Sequence, residues 1–245
     1  MQQTEMIFGT RPIIEAIQAG KEVDTVLVQK NLKNPHILEV LDLCQQYNIP
    51  VQKVPFDKLC RLTNKNHQGV ICFLASVEYA SLDHVVSQAF QEGKTPLILV
   101  LDRITDVRNF GAIVRTAECS GVHAIVVPDK GKARIGGDAF KTSAGALSLV
   151  PICRTDNLNQ TILYLKQCGL QIAACTEKSK KTVFDAEFTE PLAIIMGSEE
   201  DGIAPEHLRL ANFSVKIPIV GKISSLNVSV AAGVVLYEVL RQRVR

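Results

Sequence analysis

The sequence predicts an α/β protein in which a mostly parallel sheet follows a smaller α/β unit. From about residue 97 onward, short apolar runs typical of buried strands alternate with stretches whose apolar residues recur at helical spacing. Residues 1–78 show the same two patterns at shorter lengths. The chain has 245 residues, of which 47% are hydrophobic and 21% charged, enough for one large or two small domains with a sizeable core.

Residues 1–78 are predicted to form the smaller unit. Its first helix is indicated by the apolar stripe Ile13, Ile14 and Ile17, and its second by Ile37 and Val40 on one helical face. The predicted elements are, in order, a helix over 12–19, a strand over 25–28, a helix over 35–47 and strands over 50–55 and 69–77.

Residues 79–95 are predicted to be a linker that holds one helix near 81–86 and a turn before Pro96. The larger domain then spans residues 96–245. Its predicted strands cover 97–101, 124–127, 171–174, 192–196 and 214–217. Its predicted helices cover 109–120, 139–147, 158–168 and 228–242. Such alternation favours parallel strands with helices on both faces of the sheet.

Composition sets limits on the function. The formal charge of +2 argues neither for nor against a polyanionic partner. Seven cysteines lack zinc-site spacing, and most lie in apolar runs, which predicts reduced, buried thiols in a cytosolic protein. The five histidines also lack ligand spacing, and His67 is interpreted as a turn residue. Residues 1–5 do not resemble the start of a signal peptide, and no apolar run reaches the ~18 residues of a membrane span.

Three segments that follow predicted strands hold small or polar residues where a packed core would hold apolar ones. They are residues 102–117, residues 195–202, and residues 217–219 together with 225–229. In parallel α/β sheets, ligands bind beyond the carboxyl ends of the strands. The three segments therefore predict one binding crevice.

The first segment carries the spaced pattern Asp102, Asp106, Asn109, Gly111 and Arg115. Asn109 is expected to cap the helix that begins there, and Gly111 to allow close approach of another backbone. Each residue alone fits a cap or a surface position. The joint pattern arises rarely by chance.

The second segment, residues 197–202, fits a plain acidic turn when it is considered alone. It is not a phosphate-binding loop, because no Lys-Ser/Thr pair follows and its carboxylates would repel phosphate. The chain also lacks G-x-G-x-x-G, which disfavours an ordinary dinucleotide-binding enzyme. The loop suits a cationic ligand, or one held through backbone amides and carbonyls.

The third segment precedes the last predicted helix. Ser225 or Asn227 is expected to cap that helix. A capped core helix explains the small residues that follow, but it does not explain why Asn227 and Ser229 both stand at the start of an apolar run.

Asn109 with Arg115, Gly197-Ser198-Glu199-x-x-Gly202 and Ser225-Leu226-Asn227-Val228-Ser229 together resemble the three motifs of the SpoU-type (SPOUT superfamily) RNA ribose 2′-O-methyltransferases. The resemblance covers about residues 97–244. Residues 5–78, with Ile7-Phe8-Gly9 and His67-Gln68-Gly69-Val70, resemble the ribosomal-protein-like substrate-binding domain of one branch. The whole chain is most similar to the branch that methylates a guanosine of 23S ribosomal RNA. It departs from many relatives at Val107-Arg108, where they have proline.

The resemblance implies a C-terminal trefoil knot, S-adenosylmethionine bound bent in the knot loops, and a cytoplasmic homodimer whose interface completes the site. It implies no metal, because the methyl group to be transferred is already activated. Residues 1–78 would bind RNA. The residues implied to line the cofactor pocket are Gly197, Ile217 and Leu226. Those implied to form the catalytic and ribose site are Asn109, Arg115, Glu199, Asn227 and Ser229.

Other functions remain open at this point. A transfer RNA could be the substrate, or the chain could be an RNA-binding module without catalytic activity. An ordinary small-molecule enzyme is a third alternative, against which the missing phosphate and dinucleotide motifs argue. The basic stretch 130–134, with Lys141, is either a phosphate contact or a solvated loop.

Overall fold

The structure is a computed structural model that describes residues 6–32, 34–75, 77–133 and 135–244. They divide into two compact units, one within residues 1–78 together with 135–137, and one formed by residues 79–134 and 138–245. Throughout the described ranges, no helix has both the length and the apolar character needed to cross a bilayer.

The first unit is a four-stranded sheet in the order β1-β4-β2-β3, in which β4 runs antiparallel to β1 and β2, and β2 runs parallel to β3. Residues of opposite parity along β2 fill two cores: Val26 and Val28 join the larger, Leu27 the smaller. The elements are β1 (Met6–Phe8), α1 (Thr10–Gln18), β2 (Val23–Gln29), α2 (Pro35–Gln46), β3 (Val51–Val54), α3 (Phe56–Leu62) and β4 (Val70–Leu74).

The second unit is a six-stranded sheet in the order β10-β8-β9-β5-β6-β7, with every neighbouring pair parallel. The predicted parallel sheet is thus confirmed. Its elements are α4 (Leu82–Gln91), β5 (Leu97–Asp102), α5 (Val107–Cys119), β6 (Ala124–Pro128), α6 (Gly137–Ser143), β7 (Ile152–Thr155), α7 (Leu158–Gln167), β8 (Gln171–Cys175), β9 (Leu192–Gly197), α8 (Pro205–Leu210), β10 (Phe213–Val215) and α9 (Val228–Arg243), with 3₁₀ turns at Ala146–Ser148 and Val183–Asp185.

Several predicted elements differ from the observed ones. Elements β1, α3, β7 and α8 were not predicted, and α4 occupies much of the segment predicted as a linker, with Val86 buried in the core of the second unit. The single helix predicted over 139–147 is broken, because Ala144 and Gly145 take positive φ angles of 51° and 92°. Gly111 does allow close packing: a Cβ there would lie 2.9 Å from the carbonyl oxygen of Ala139 in α6.

The described cysteines are all free thiols. Burial raises the pKa of Cys44 to about 11 and those of Cys72 and Cys153 to about 12, so these three stay protonated near neutral pH. The interpretation as buried thiols is correct for them and wrong for Cys119, which is exposed. Cys119 is the last residue of α5 and stands between Glu118 and Ser120, outside any apolar run.

Candidate functional site

A cavity of about 320 Å³ lies at the carboxyl ends of the strands on one side of the second unit. It is lined by residues 175–178, 196–202, 217, 219, 224–226, 228 and 231. Gly197, Ile217 and Leu226, which the resemblance assigned to the cofactor, all line it. Two of the three segments that the sequence singled out therefore meet at one crevice.

A tight loop forms one wall of this cavity and leaves no room for a side chain at its base. Ser198 and Gly202 exchange backbone hydrogen bonds of 3.2 and 3.0 Å. A Cβ on Gly197 would lie 2.1 Å from the carbonyl carbon of Gly202 and 2.2 Å from the nitrogen of Ile203. At Gly197 two main-chain segments approach each other closely, and only glycine fits at this crossing. The wall formed by this loop therefore presents main-chain groups to a ligand.

A buried carboxylate holds the end of this loop in place. Asp102, at the end of β5, is 2% exposed and accepts hydrogen bonds from the Ala204 amide (2.7 Å) and His207 Nδ1 (2.9 Å). Arg103 joins it, donating to Asp102 (3.1 Å) and to the carbonyl of Gly202 (3.0 Å). Burial alone would raise the pKa of Asp102, but these hydrogen bonds outweigh it, and the pKa lies below its ordinary value.

Replacing Asp102 by Asn should lower the free energy of unfolding at pH 7 by about 2 kcal/mol, because the uncharged amide offers one acceptor oxygen where the carboxylate offers two to its three donors. A carboxyl whose pKa is lower in the folded than in the unfolded protein stabilises the fold at pH values above its unfolded pKa, about 3.9. This stabilisation is lost as the pH falls through the folded pKa. The difference between the parent and Asp102→Asn should therefore narrow below about pH 4. Urea unfolding at several pH values measures it. A difference that stays constant with pH would contradict this role of Asp102.

Four of the five predicted catalytic residues form one hydrogen-bonded cluster. Oε1 of Glu199 accepts from the side-chain amides of Asn109 (3.1 Å) and Asn227 (2.6 Å) and from the backbone of Val228 (3.2 Å). Asn227 also donates to Asn109 (3.0 Å) and accepts from the hydroxyl of Ser229 (2.6 Å). Glu199 and Val228 also line the cavity, so the cluster stands at its edge.

The cap predicted for α5 is wrong. Asp106 caps this helix, accepting from the backbone nitrogen of Asn109 at 2.7 Å. Asn109 lies within the first turn, and its side chain is thereby free to join Glu199. At the start of α9, the cap is Asn227, one of the two candidates, which accepts from the backbone of Ser229.

Arg115 stands apart from this cluster. It is exposed on α5, it does not line the cavity, and over the described ranges it makes no hydrogen bond or ion pair. Its predicted role is not explained by contacts within one chain.

The sequence interpretation missed the wall formed by residues 175–178, at and just after the end of β8. The signal was present, because these residues follow an apolar strand as the other three segments do. The charged groups of the cavity are one lysine, Lys178, against the acidic residues Glu177, Glu199, Glu200 and Asp201. With apolar Met196 and Leu226 beside them, the cavity suits a small ligand that combines an apolar part with positive charge.

The basic stretch beyond β6 is only partly available to a ligand. Lys130 and Lys141 are exposed, whereas Lys132 is half-buried and donates to the hydroxyl of Tyr79 at 2.6 Å. Arg134 lies outside the described residues. Within the described residues, no group of His, Cys, Asp or Glu could hold a metal ion.

Two family models match the chain. Residues 96–237 match the model described as the SpoU rRNA methylase family, and residues 6–80 match RNA 2′-O ribose methyltransferase substrate binding. The two matches correspond to the two units of the structure.

Three known proteins illustrate the similarity. A putative TrmH family tRNA/rRNA methyltransferase of Bacillus subtilis, YacO, is 32% identical over 99% of this chain and 97% of its own length. The SpoU methyltransferase AviRb of Streptomyces viridochromogenes, solved with AdoMet, is 25% identical with a TM-score of 0.62, covering 98% of this chain and 90% of that one. The TrmH/SpoU tRNA modifying enzyme of A. aeolicus is 31% identical with a TM-score of 0.56, and the match covers 64% of this chain and 84% of that one.

Proposed function

Because the chain belongs to the SpoU rRNA methylase family and is an S-adenosylmethionine-dependent RNA methyltransferase, we propose that it methylates a ribose 2′-hydroxyl in RNA. The observation that supports this most is the cluster of Asn109, Glu199, Asn227 and Ser229 at the edge of the cavity. A hydroxyl placed there would meet amide, hydroxyl and carboxylate groups, which suit a sugar.

The cavity fits S-adenosylmethionine, which supplies a methyl group already activated by a positively charged sulfur. Because Gly197 has no side chain, main-chain groups of the loop can form part of the cavity surface. Ile217 and Leu226 offer apolar contact, and Glu199 offers negative charge near its edge. We assign cofactor binding to Gly197, Ile217 and Leu226.

The polar cluster would position the ribose. Three donors on Oε1 fix the Glu199 carboxylate, so its other oxygen is the atom available to a ligand hydroxyl. Positioning of reacting groups alone can supply up to about 7–11 kcal/mol. Asn109, Asn227 and Ser229 therefore act by holding the sugar oxygen and Glu199 in one orientation.

Arg115 would stabilise the ribose oxygen as the methyl group passes to it from sulfur and the hydroxyl proton passes to the available carboxylate oxygen of Glu199. A guanidinium stays protonated at neutral pH and does not serve as a base there. Its positive charge instead favours negative charge on the ribose oxygen, or holds an adjacent phosphate.

A homodimer would bring Arg115 to a cavity. Arg115 has no polar partner among the described residues of its own chain, whereas apolar residues of α9 and of the segment before it are exposed and open to a second copy. Val220, Ile223, Val230 and Tyr237 are 101%, 77%, 52% and 51% exposed. A second copy would cover them, and Arg115 of one subunit would serve the cavity of the other.

The target we propose is a guanosine of 23S ribosomal RNA in the cytoplasm, on the basis of the whole-chain resemblance. The tRNA modifying enzyme matches only 64% of this chain. Residues 1–78 would then select the RNA, while residues 96–245 carry out the transfer. On the basis of family membership, we also expect a trefoil knot in the second unit.

Incubation with methyl-labelled S-adenosylmethionine tests this function. Unmodified ribosomal RNA should take up label as 2′-O-methylguanosine, and transfer RNA should not. Label on a base would contradict ribose methylation, and label on transfer RNA alone would contradict the target. Cofactor binding without transfer to either RNA would indicate a module that lacks activity.

A further inference from the structure

Two adjacent cavities in the first unit share the side chains of Asn34 and Gln68. The larger has a volume of about 780 Å³ and the smaller about 290 Å³. The two adjoining cavities are together called the amide groove here. The residues on which its chemistry depends are Arg11, Asn34, Phe56, Asn64, Lys65 and Gln68.

The amide groove is polar and carries no negative charge. Its amides also include Gln29 and Asn66, and no aspartate or glutamate is among the residues that line either cavity. Lys65 borders the larger cavity and Arg11 the smaller, and both are exposed. A phosphate chain could therefore contact a cation at each end without repulsion from a carboxylate.

The two shared amides have their oxygens occupied by the protein. Oδ1 of Asn34 accepts from the backbone nitrogen of Ile37 at 2.8 Å and caps α2. Oε1 of Gln68 accepts from the backbone nitrogen and hydroxyl of Thr10, at 3.1 and 3.0 Å. The NH₂ group of each side chain is left for a ligand. The middle of the groove therefore offers hydrogen-bond donors.

The turn that carries Gln68 is held in an unusual conformation. Gln68 and Gly69 have positive φ angles of 51° and 81°. The buried ring of His67 fixes this turn, because its Nδ1 accepts from the backbone nitrogen of Gly69 at 3.0 Å. The groove is thus preorganised by residues beneath it.

An aromatic ring stands at the rim. Phe56 is 52% exposed, although its centroid lies only 5.4 Å from that of His67. The contact holds the ring while leaving much of its surface open. An unstacked nucleobase gains from such a surface, since every base has a π-face to place on an aromatic side chain.

We propose that the amide groove binds an unstacked nucleotide of single-stranded RNA; this inference rests on the proposed function. The base stacks on Phe56, and its acceptor atoms accept hydrogen bonds from the NH₂ groups of Asn34 and Gln68. The flanking phosphates contact Lys65 and Arg11. The first unit would therefore select RNA segments whose bases are free of a helix.

The test uses the full chain and a short fluorescein-labelled single-stranded oligoribonucleotide of mixed sequence. Phe56→Ala should weaken its binding about tenfold, as loss of one base–aromatic stack does. The double variant Arg11→Ala/Lys65→Ala should also weaken it and reduce the salt dependence by about 0.7 per lost phosphate contact. A duplex of the same sequence should compete poorly with the labelled strand.

Matched controls lie on the same unit outside the groove. Tyr47, an aromatic residue that is 51% exposed, and the exposed pair Lys53 and Lys58 provide them. Tyr47→Ala and Lys53→Ala/Lys58→Ala should leave the Kd for RNA unchanged, and all variants should keep the thermal midpoint and the Kd for S-adenosylmethionine of the parent. Unchanged RNA binding in both groove variants, an equal loss in the controls, or equal competition by the duplex would overturn the proposal.

This result is separable from that of the methylation assay. If the parent methylates RNA and the groove variants bind RNA normally, the groove proposal alone fails. If the parent transfers no methyl group but loses RNA affinity through Phe56→Ala, the ribose methylation proposal fails and the groove remains.

Discussion

Replacing Arg115 by alanine is expected to abolish methyl transfer while leaving S-adenosylmethionine binding nearly intact. Arg115 is exposed and does not line the cavity that we assign to the cofactor. Removing one group that stabilises developing charge on oxygen lowers kcat by about 10²–10³-fold. Single-turnover methylation measures the chemical step, and isothermal titration measures cofactor affinity. Arg209→Ala, an exposed arginine of α8, is the matched control and should keep full activity.

Subunit mixing tests whether Arg115 acts across a dimer. Co-expression of Arg115→Ala with Gly197→Ala should restore activity, because one cavity of the mixed dimer has an intact Gly197 and an intact arginine from its partner. The assay holds S-adenosylmethionine well below the raised Kd of Gly197→Ala, so that each variant alone should be far less active than the parent. Loss of cofactor binding in Arg115→Ala would refute the assigned role, and failure of the mixture would refute action across subunits.

Gly197→Ala should raise the Kd for S-adenosylmethionine between about fivefold and a hundredfold. The new Cβ would meet main-chain atoms of Gly202 and Ile203 at 2.1 and 2.2 Å, and main chain cannot move aside as a flexible side chain can. The loop over 198–202 would have to open, which disrupts the cavity wall. Titration of the cofactor into the folded variant measures the effect.

The control for this substitution is Gly221→Ala. A Cβ on Gly221 would have no other atom within 4 Å, so the cofactor affinity should stay that of the parent. Parent-like affinity in Gly197→Ala would show that the tight crossing is not needed for binding. An equal loss in Gly221→Ala would mean that the effect is not specific to the crossing.

The long buried strands could be predicted from sequence, and the short edge elements could not. In β5 and β9, continuous apolar residues are buried on both faces, which leaves little choice of structure. Strand β7 (Ile152–Thr155) has two buried apolar residues and then Arg154, so it carries no clear pattern. Helix α8 (Pro205–Leu210) is too short for helical periodicity to show.

For the site, the sequence predicted convergence but not the individual hydrogen bonds. Asn109, Glu199 and Asn227 each follow or border a strand end, so the topology of a parallel sheet brings them together. Asp106 and Asn109 are both able to cap α5, and only the structure distinguishes them. The role that we propose for Arg115 depends on a second chain, which no pattern within one chain describes.

The centre of the larger sheet has a consequence for the rate at which the protein folds. Leu97 of β5 pairs with Leu192 of β9, although β6, β7 and β8 and the helices between them separate the two strands along the chain. When two strands so far apart in sequence come together, the chain between them loses conformational entropy before most of their stabilising contacts have formed. Sheets of this topology therefore fold slowly compared with folds built from local contacts. The loop that begins at Gly197 is carried by β9, so a methyl donor bound to that loop stabilises the folded sheet in which β5 and β9 are paired.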